Sequence, residues 1–184
     1  MQKNKDRVCP VWMAYTFDNP LRKLFHNPTK MLQPYLSDGM TIFDISCGMG
    51  HFTLGMAKML DDSSKIIAVD LQQGMLDILL KKAKKARLEK RIRPIKCQSH
   101  DFCLDEKADF ALACWVMHET PDVKNSLRQI YDSLKPGGKF LMIEPAMHVS
   151  EETVENAKEI AAGLGFSLIA EPKVRLSRAL LLQK

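Results

Sequence analysis

No stretch of this chain approaches the run of about 18 uninterrupted apolar residues that a membrane-spanning helix needs. No C-x-x-C pair occurs, and the five cysteines (Cys9, Cys47, Cys97, Cys103, Cys114) are odd in number, which excludes a disulfide framework and a zinc site with ligand spacing. Four of them lie within or beside apolar segments, where a free thiol reads as a small buried hydrophobe. Internal repeats and low-complexity tracts are missing as well. With 46% hydrophobic residues, 27% charged residues, 9 glycines and 9 prolines, collagen-like, coiled-coil and largely disordered chains are excluded. The opening residues 1–7 lead into no apolar run followed by a cleavage site, so the expectation is a cytoplasmic chain with no secretory leader.

The 184 residues fit one domain of ordinary size, which buries roughly two thirds of the surface that its unfolded chain exposes. Such a core needs neither disulfide nor metal. The net charge of +5 is unevenly placed: nine basic residues and one acid lie between Lys81 and Lys96. That stretch is a candidate patch for nucleic acid or an acidic partner. No aromatic residues interleave the charges to stack bases, which favours the solvated face of a surface helix.

After a segment of mixed character, residues 1–37, the chain alternates regularly from 38 to 184. Strands are expected at 41–46, 65–70, 92–98, 108–114 and 139–144, separated by helical stripes such as Phe52, Met56, Met59 and Leu60. Thr120 and Pro121 read as N-cap and first-turn proline of the helix carrying Val123, Leu127, Ile130 and Leu134. Two closing strands, 166–170 and 174–182, are joined across Glu171-Pro172-Lys173, too short for a parallel crossover, so the last strand runs antiparallel. The fold class is therefore α/β, a three-layer doubly wound sheet of seven strands, parallel but for its C-terminal strand. Ligands of such sheets bind beyond the carboxyl ends of the strands, where strand order reverses.

Three acids stand at those strand ends. Asp44 precedes the turn Ser46-Cys47-Gly48-Met49-Gly50, whose glycines let backbone N–H groups approach a ligand at a helix start. A dinucleotide fingerprint needs a third glycine where this chain has Thr53. A carboxylate at 44 suits a ligand carrying an ammonium group, not a pyrophosphate. Together these disfavour a nicotinamide-dependent dehydrogenase. Asp70, ending the second strand, can accept hydrogen bonds from both hydroxyls of a ribose or cap the helix that follows. Asp101 can accept from the exocyclic amine of adenine, with Phe102 adding a backbone contact, or serve as a turn aspartate.

These residues together resemble the seven-stranded S-adenosylmethionine-dependent methyltransferases. The loop 44–50 looks like that family's cofactor motif, Asp70 like its ribose-binding acid and Asp101 like its adenine-contacting acid. Residues 108–115 look like the fourth-strand motif, and Leu134-Lys135-Pro136-Gly137-Gly138 like the turn before the fifth strand. The likeness covers residues 38–184, and its closest flavour is the quinone-biosynthesis and other small-molecule group.

The resemblance implies S-adenosylmethionine as cofactor and a small-molecule methyl acceptor. It places Asp44 near the methionine ammonium and runs the backbone from Ser46 and Cys47 through Gly48 and Gly50 along the cofactor. It sets Leu71 against adenine, the Cys114 carbonyl near the methionine portion, and Trp115 where its ring face can meet the sulfonium. His118, just past the fourth strand, is the candidate base, with Glu144 a weaker second. Residues 1–37 would fold over the cofactor as a lid, with Trp12, Tyr15 and Phe17 as candidates and His26 a distant one. Two rival readings are an RNA or protein methyltransferase docking through 81–96 and a non-catalytic assembly subunit. The Asn/Asp-Pro-Pro-Tyr/Phe signature of amino-methylating nucleic-acid enzymes is replaced by Cys114-Trp115-Val116-Met117, and Cys114 lacks the context of a cytosine-methylating nucleophile. The expected assembly is a monomer or homodimer, with no metal.

Overall fold

The computed structural model describes residues 26–184; the lid candidates Trp12, Tyr15 and Phe17 lie outside them. A short helix α1 (Pro28–Leu32), capped by the Asn27 side chain, runs into a 3-10 turn. Then come β1 (Thr41–Ile45), α2 (His51–Met59), β2 (Lys65–Asp70), α3 (Gln73–Ala86), β3 (Ile92–Lys96), β4 (Ala108–Cys114), α4 (Val123–Ser133), β5 (Leu134–Pro145), α5 (Glu151–Leu164), β6 (Ser167–Ala170) and β7 (Ser177–Gln183). The seven strands form one sheet in the order β3-β2-β1-β4-β5-β7-β6. β1 to β5 pair in parallel, and β7 is antiparallel to both β5 and β6. Strand order reverses between β1 and β4.

Alternation along the strands sends side chains to two cores. Ile42, Ile66 and Leu112 meet Phe52 and Met56 of α2 and Leu79 of α3 on one face. Phe43, Ile67 and Phe140 meet Ile130 of α4 and Val154 and Ala161 of α5 on the other. Both faces are covered, which is why the parallel strands read as near-continuous apolar runs. β3 stays at the edge, where Pro94, opposite Ala68, costs no ladder bond to a further strand.

Element ends differ from expectation by two residues or more in four places. α4 starts two residues later because Asp122, not Thr120, is its N-cap, accepting the Asn125 N–H at 2.9 Å; an aspartate is a strong cap, so Pro121 falls outside the helix. β7 starts at Ser177 because Leu176 adopts φ +58 and closes a turn from Ser177 N–H to the Val174 carbonyl. β5 begins at Leu134, with the Lys135–Gly138 stretch bulged out between its pairings to Ala108 and Phe110. β3 ends at Lys96, the next amide, Cys97, bonding to the Asp70 carbonyl.

Candidate functional site

At the crevice between β1 and β4 the backbone leaves the usual regions. Ser46, Gly48 and Gly50 alternate into the left-handed region (φ +59, +55 and +88), and Trp115, just past β4, joins them at +62. Such conformations in non-glycine residues cost about 1–3 kcal/mol each and persist only where the surroundings hold them. Here the Cys47 N–H bonds to the Val69 carbonyl and the Trp115 N–H to the Ile143 carbonyl. A Cβ at Gly48 would meet nothing within 4 Å, so this turn opens onto free space. Gly50 differs: it is the N-cap of α2, and a Cβ there would lie 2.3 Å from Leu79 Cδ1. Gly50→Ala is expected to cost about 2–4 kcal/mol through strain and overpacking, measured as a lower urea midpoint; an unchanged midpoint would show that the turn tolerates a side chain.

Asp70 is 5% exposed and its two carboxylate oxygens serve different neighbours. Oδ2 accepts the Gly48 N–H at 2.8 Å and Oδ1 the Gln72 N–H at 2.9 Å. The carboxylate thus ties the glycine turn to the end of β2 and also steadies the start of α3, whose N-cap Gln72 makes no side-chain capping bond. Burial pushes its pKa up, against the lowering pull of the Gln72, Gly48 and Leu71 amides. A carboxylate has roughly four acceptor positions, so these amides do not exhaust it.

Asp44, 2% exposed, accepts the Thr53 hydroxyl at 2.5 Å. Thr53 was legible in the sequence only as a broken glycine motif. In the structure it is a fully buried partner for the acid at the end of β1.

The other expected residues divide. Leu71 packs at the rim of one core and Cys114 at that of the other. Asp101 is exposed and its Oδ1 accepts the Cys103 N–H at 2.7 Å, a turn arrangement. Phe102 is buried, and its N–H is already donated to Gln129 Oε1 at 2.8 Å. The Trp115 indole N–H donates to Ser177 Oγ at 2.9 Å, and its ring meets the buried His26 edge to face at 4.8 Å. His26, the distant lid candidate, and Ser177 are therefore part of the wall beside β4, and no local sequence signal marked Ser177. Cys47 and Cys97 are raised by burial, Cys97 to about 11, which makes both poor nucleophiles.

His118 and Glu144 are brought together at the ends of β4 and β5. Glu144, 2% exposed, accepts the Met117 N–H at 2.9 Å through Oε1 and bonds His118 Nδ1 through Oε2. Burial by itself would lower the His118 pKa; the Glu144 hydrogen bond and charge, with Glu119 adding to them, carry it above the ordinary value. His148 Nε2 lies 3.3 Å from His118 Nε2. A cavity of about 50 Å³ adjoins the pair, walled by Met117, Val123, Met142 and Val149, room for a water or two but not for an aromatic ring.

Part of the basic stretch 81–96 is committed internally. Arg91 holds the Ala57 and Leu60 carbonyls and Asp62, Arg93 pairs with Asp105 and Glu106, and Lys82 reaches the Met49 carbonyl.

Residues 21–162 match the model of the ubiE/COQ5 methyltransferase family. The chain belongs to that family. A demethylmenaquinone methyltransferase of Lactobacillus johnsonii is 31% identical over 68% of this chain and 50% of its own length. One from Symbiobacterium thermophilum is 29% identical over 61% of this chain and 45% of its own. The chain thus spans about half the length of these curated relatives. A solved SAM-dependent methyltransferase from Aquifex aeolicus superposes with a TM-score of 0.85 at 21% identity, covering 96% of this chain and 99% of the other, a shared fold. What the site offers suits S-adenosylmethionine: an open glycine turn, a buried acid at the end of β1 and a carboxylate at the end of β2 tied to that turn. Among the described residues, no helix is long and apolar enough to cross a membrane.

Proposed function

We propose that the chain transfers a methyl group from S-adenosylmethionine to a small hydroxylated ring of the reduced-quinone class. The observation that carries the reading is the Asp70 bond to the Gly48 amide at the strand-order reversal, which builds a glycine turn and a ribose-type acceptor into one unit. Membership of the ubiE/COQ5 family and the relatives' names support the acceptor class.

When bound, S-adenosylmethionine supplies an activated methyl group, so the protein's part is to hold donor and acceptor in line, worth about 7–11 kcal/mol when geometry is good. Asp44 would face the ammonium, the Ser46–Gly50 backbone would follow the methionine portion, and Asp70 would take the ribose hydroxyls. Asp101 and Leu71 would border the adenine, with the Phe102 amide available only if Gln129 releases it. Loss of a hydroxyl proton makes the ring carbons of a hydroxylated arene nucleophilic. His118 would hold that proton, its imidazolium form favoured by the buried Glu144 carboxylate.

Calorimetric titration with S-adenosylmethionine and its demethylated product, followed by a methyl-transfer assay on reduced naphthoquinones and benzoquinones, tests this. Micromolar binding and transfer to a ring are expected, with His118→Asn lowering kcat roughly 100-fold or more and leaving cofactor affinity unchanged. A folded protein that binds neither form of the cofactor would sink the reading.

A further inference from the structure

Both ring nitrogens of His118 are engaged. Nδ1 faces the Glu144 carboxylate, which fixes the proton there, and Nε2 lies 3.3 Å from Nε2 of His148. The His118 side chain is 17% exposed, whereas His148 is exposed, on the turn that follows β5 at the same rim as the glycine turn. The two rings meet edge to face with centroids 5.1 Å apart. Two imidazoles joined through Nε2 atoms share a single proton between them: one nitrogen donates it and the other accepts.

We infer that His148 is the residue that meets the acceptor hydroxyl and carries its proton to His118. This rests on the reading of the chain as a methyltransferase acting on a hydroxylated ring. In the resting arrangement His118 carries its proton on Nδ1 and His148 on Nε2. The acceptor O–H bond breaks and its proton bonds to His148 Nδ1. In concert the His148 Nε2–H bond breaks and that proton bonds to His118 Nε2. The electron pair stays on the acceptor oxygen, and the positive charge comes to rest on His118 beside Glu144. Exchange with water resets the pair. His118 is thus the charge sink, and His148 is the catalytic residue in contact with substrate.

Among the described residues, the titratable groups facing His118 are Glu144 from β5, Glu119 from the turn after β4, with Oε1 3.9 Å from Nε2, and His148. The walls contributed by α4 and α5 at this point, Val123, Thr153, Val154 and Asn156, do not titrate.

His148→Ala is expected to lower kcat about 10- to 100-fold, to leave the affinity for S-adenosylmethionine unchanged and to regain activity when imidazole is added. A structural role would show no such rescue. In nitrogen-15 NMR of the cofactor-free protein, the ring-nitrogen shifts should place a proton on His118 Nδ1 and on His148 Nε2. Wild-type turnover in His148→Ala overturns the relay and leaves the methyltransferase reading intact. A loss that imidazole does not restore, or a His148 tautomer protonated on Nδ1 at rest, likewise overturns it. A chain that binds the cofactor but methylates no hydroxylated ring overturns both.

Discussion

Asp70→Ala is expected to weaken S-adenosylmethionine binding by at least about 100-fold. Charge-assisted hydrogen bonds contribute about 1.5–3 kcal/mol each, and about 1.4 kcal/mol is a factor of ten. Losing the ribose contacts together with the Gly48 tether therefore exceeds two decades. Asp70→Asn is the sharper test. Both carboxylate oxygens already accept a backbone N–H, from Gly48 and from Gln72. An asparagine must turn its NH2 toward one of those donors, leaving that amide unsatisfied in a buried position. It should bind the cofactor nearly as poorly as the alanine variant and lose about 1–3 kcal/mol of stability besides. Calorimetry on both variants checks this; native affinity in Asp70→Asn would refute the two-sided role.

Glu144→Gln has the second large effect, on turnover and on the pH dependence of stability. The amide can still accept the Met117 N–H but no longer stabilises an imidazolium at His118, so kcat should fall about 100-fold with cofactor affinity retained. His118 has its folded-state pKa raised above that of the unfolded chain. A raised pKa contributes stability that is complete below the unfolded value, about 6.5, and is lost as pH rises through the folded value. The gap in stability between wild type and Glu144→Gln should therefore be widest near about pH 5.5 and narrow toward about pH 9, as urea denaturation at several pH values would show. A gap that widens with pH would mean that Glu144 acts on something other than the protonated histidine.

Much of the site was legible because strand ends are legible. Asp44 and Asp70 close apolar β-rich runs, so their position beyond the sheet follows from the pattern, and the glycines between them mark the turn. The antiparallel last strand was legible because its connection is short: residues 171–176 in the structure, longer than the 171–173 expected but still too short for a parallel crossover. What could not be read is whatever depends on contacts across the fold. Thr53 looked like the failure of a glycine motif, because its bond to Asp44 needs α2 packed on β1. The pairing of His118 with Glu144 and His148 spans 26 and 30 residues, beyond any local spacing rule. Asp101 left a turn and a ligand contact open, and its bond to Cys103 supplies the turn without removing the other. Of the basic stretch, Arg91 and Arg93 turned out to hold carbonyls and acids whose proximity no linear pattern reveals.

The position of β7 also governs how the sheet can assemble. It follows β6 in the chain yet lies between β5 and β6. β6 makes its sheet pairing with β7 alone, so it has no edge to join until the later segment has docked along β5. A chain emerging from its N-terminal side can complete β1 to β5 in order, but β6 can join the sheet only with or after β7. Until β7 docks, the β5 edge stands open to pairing with another chain.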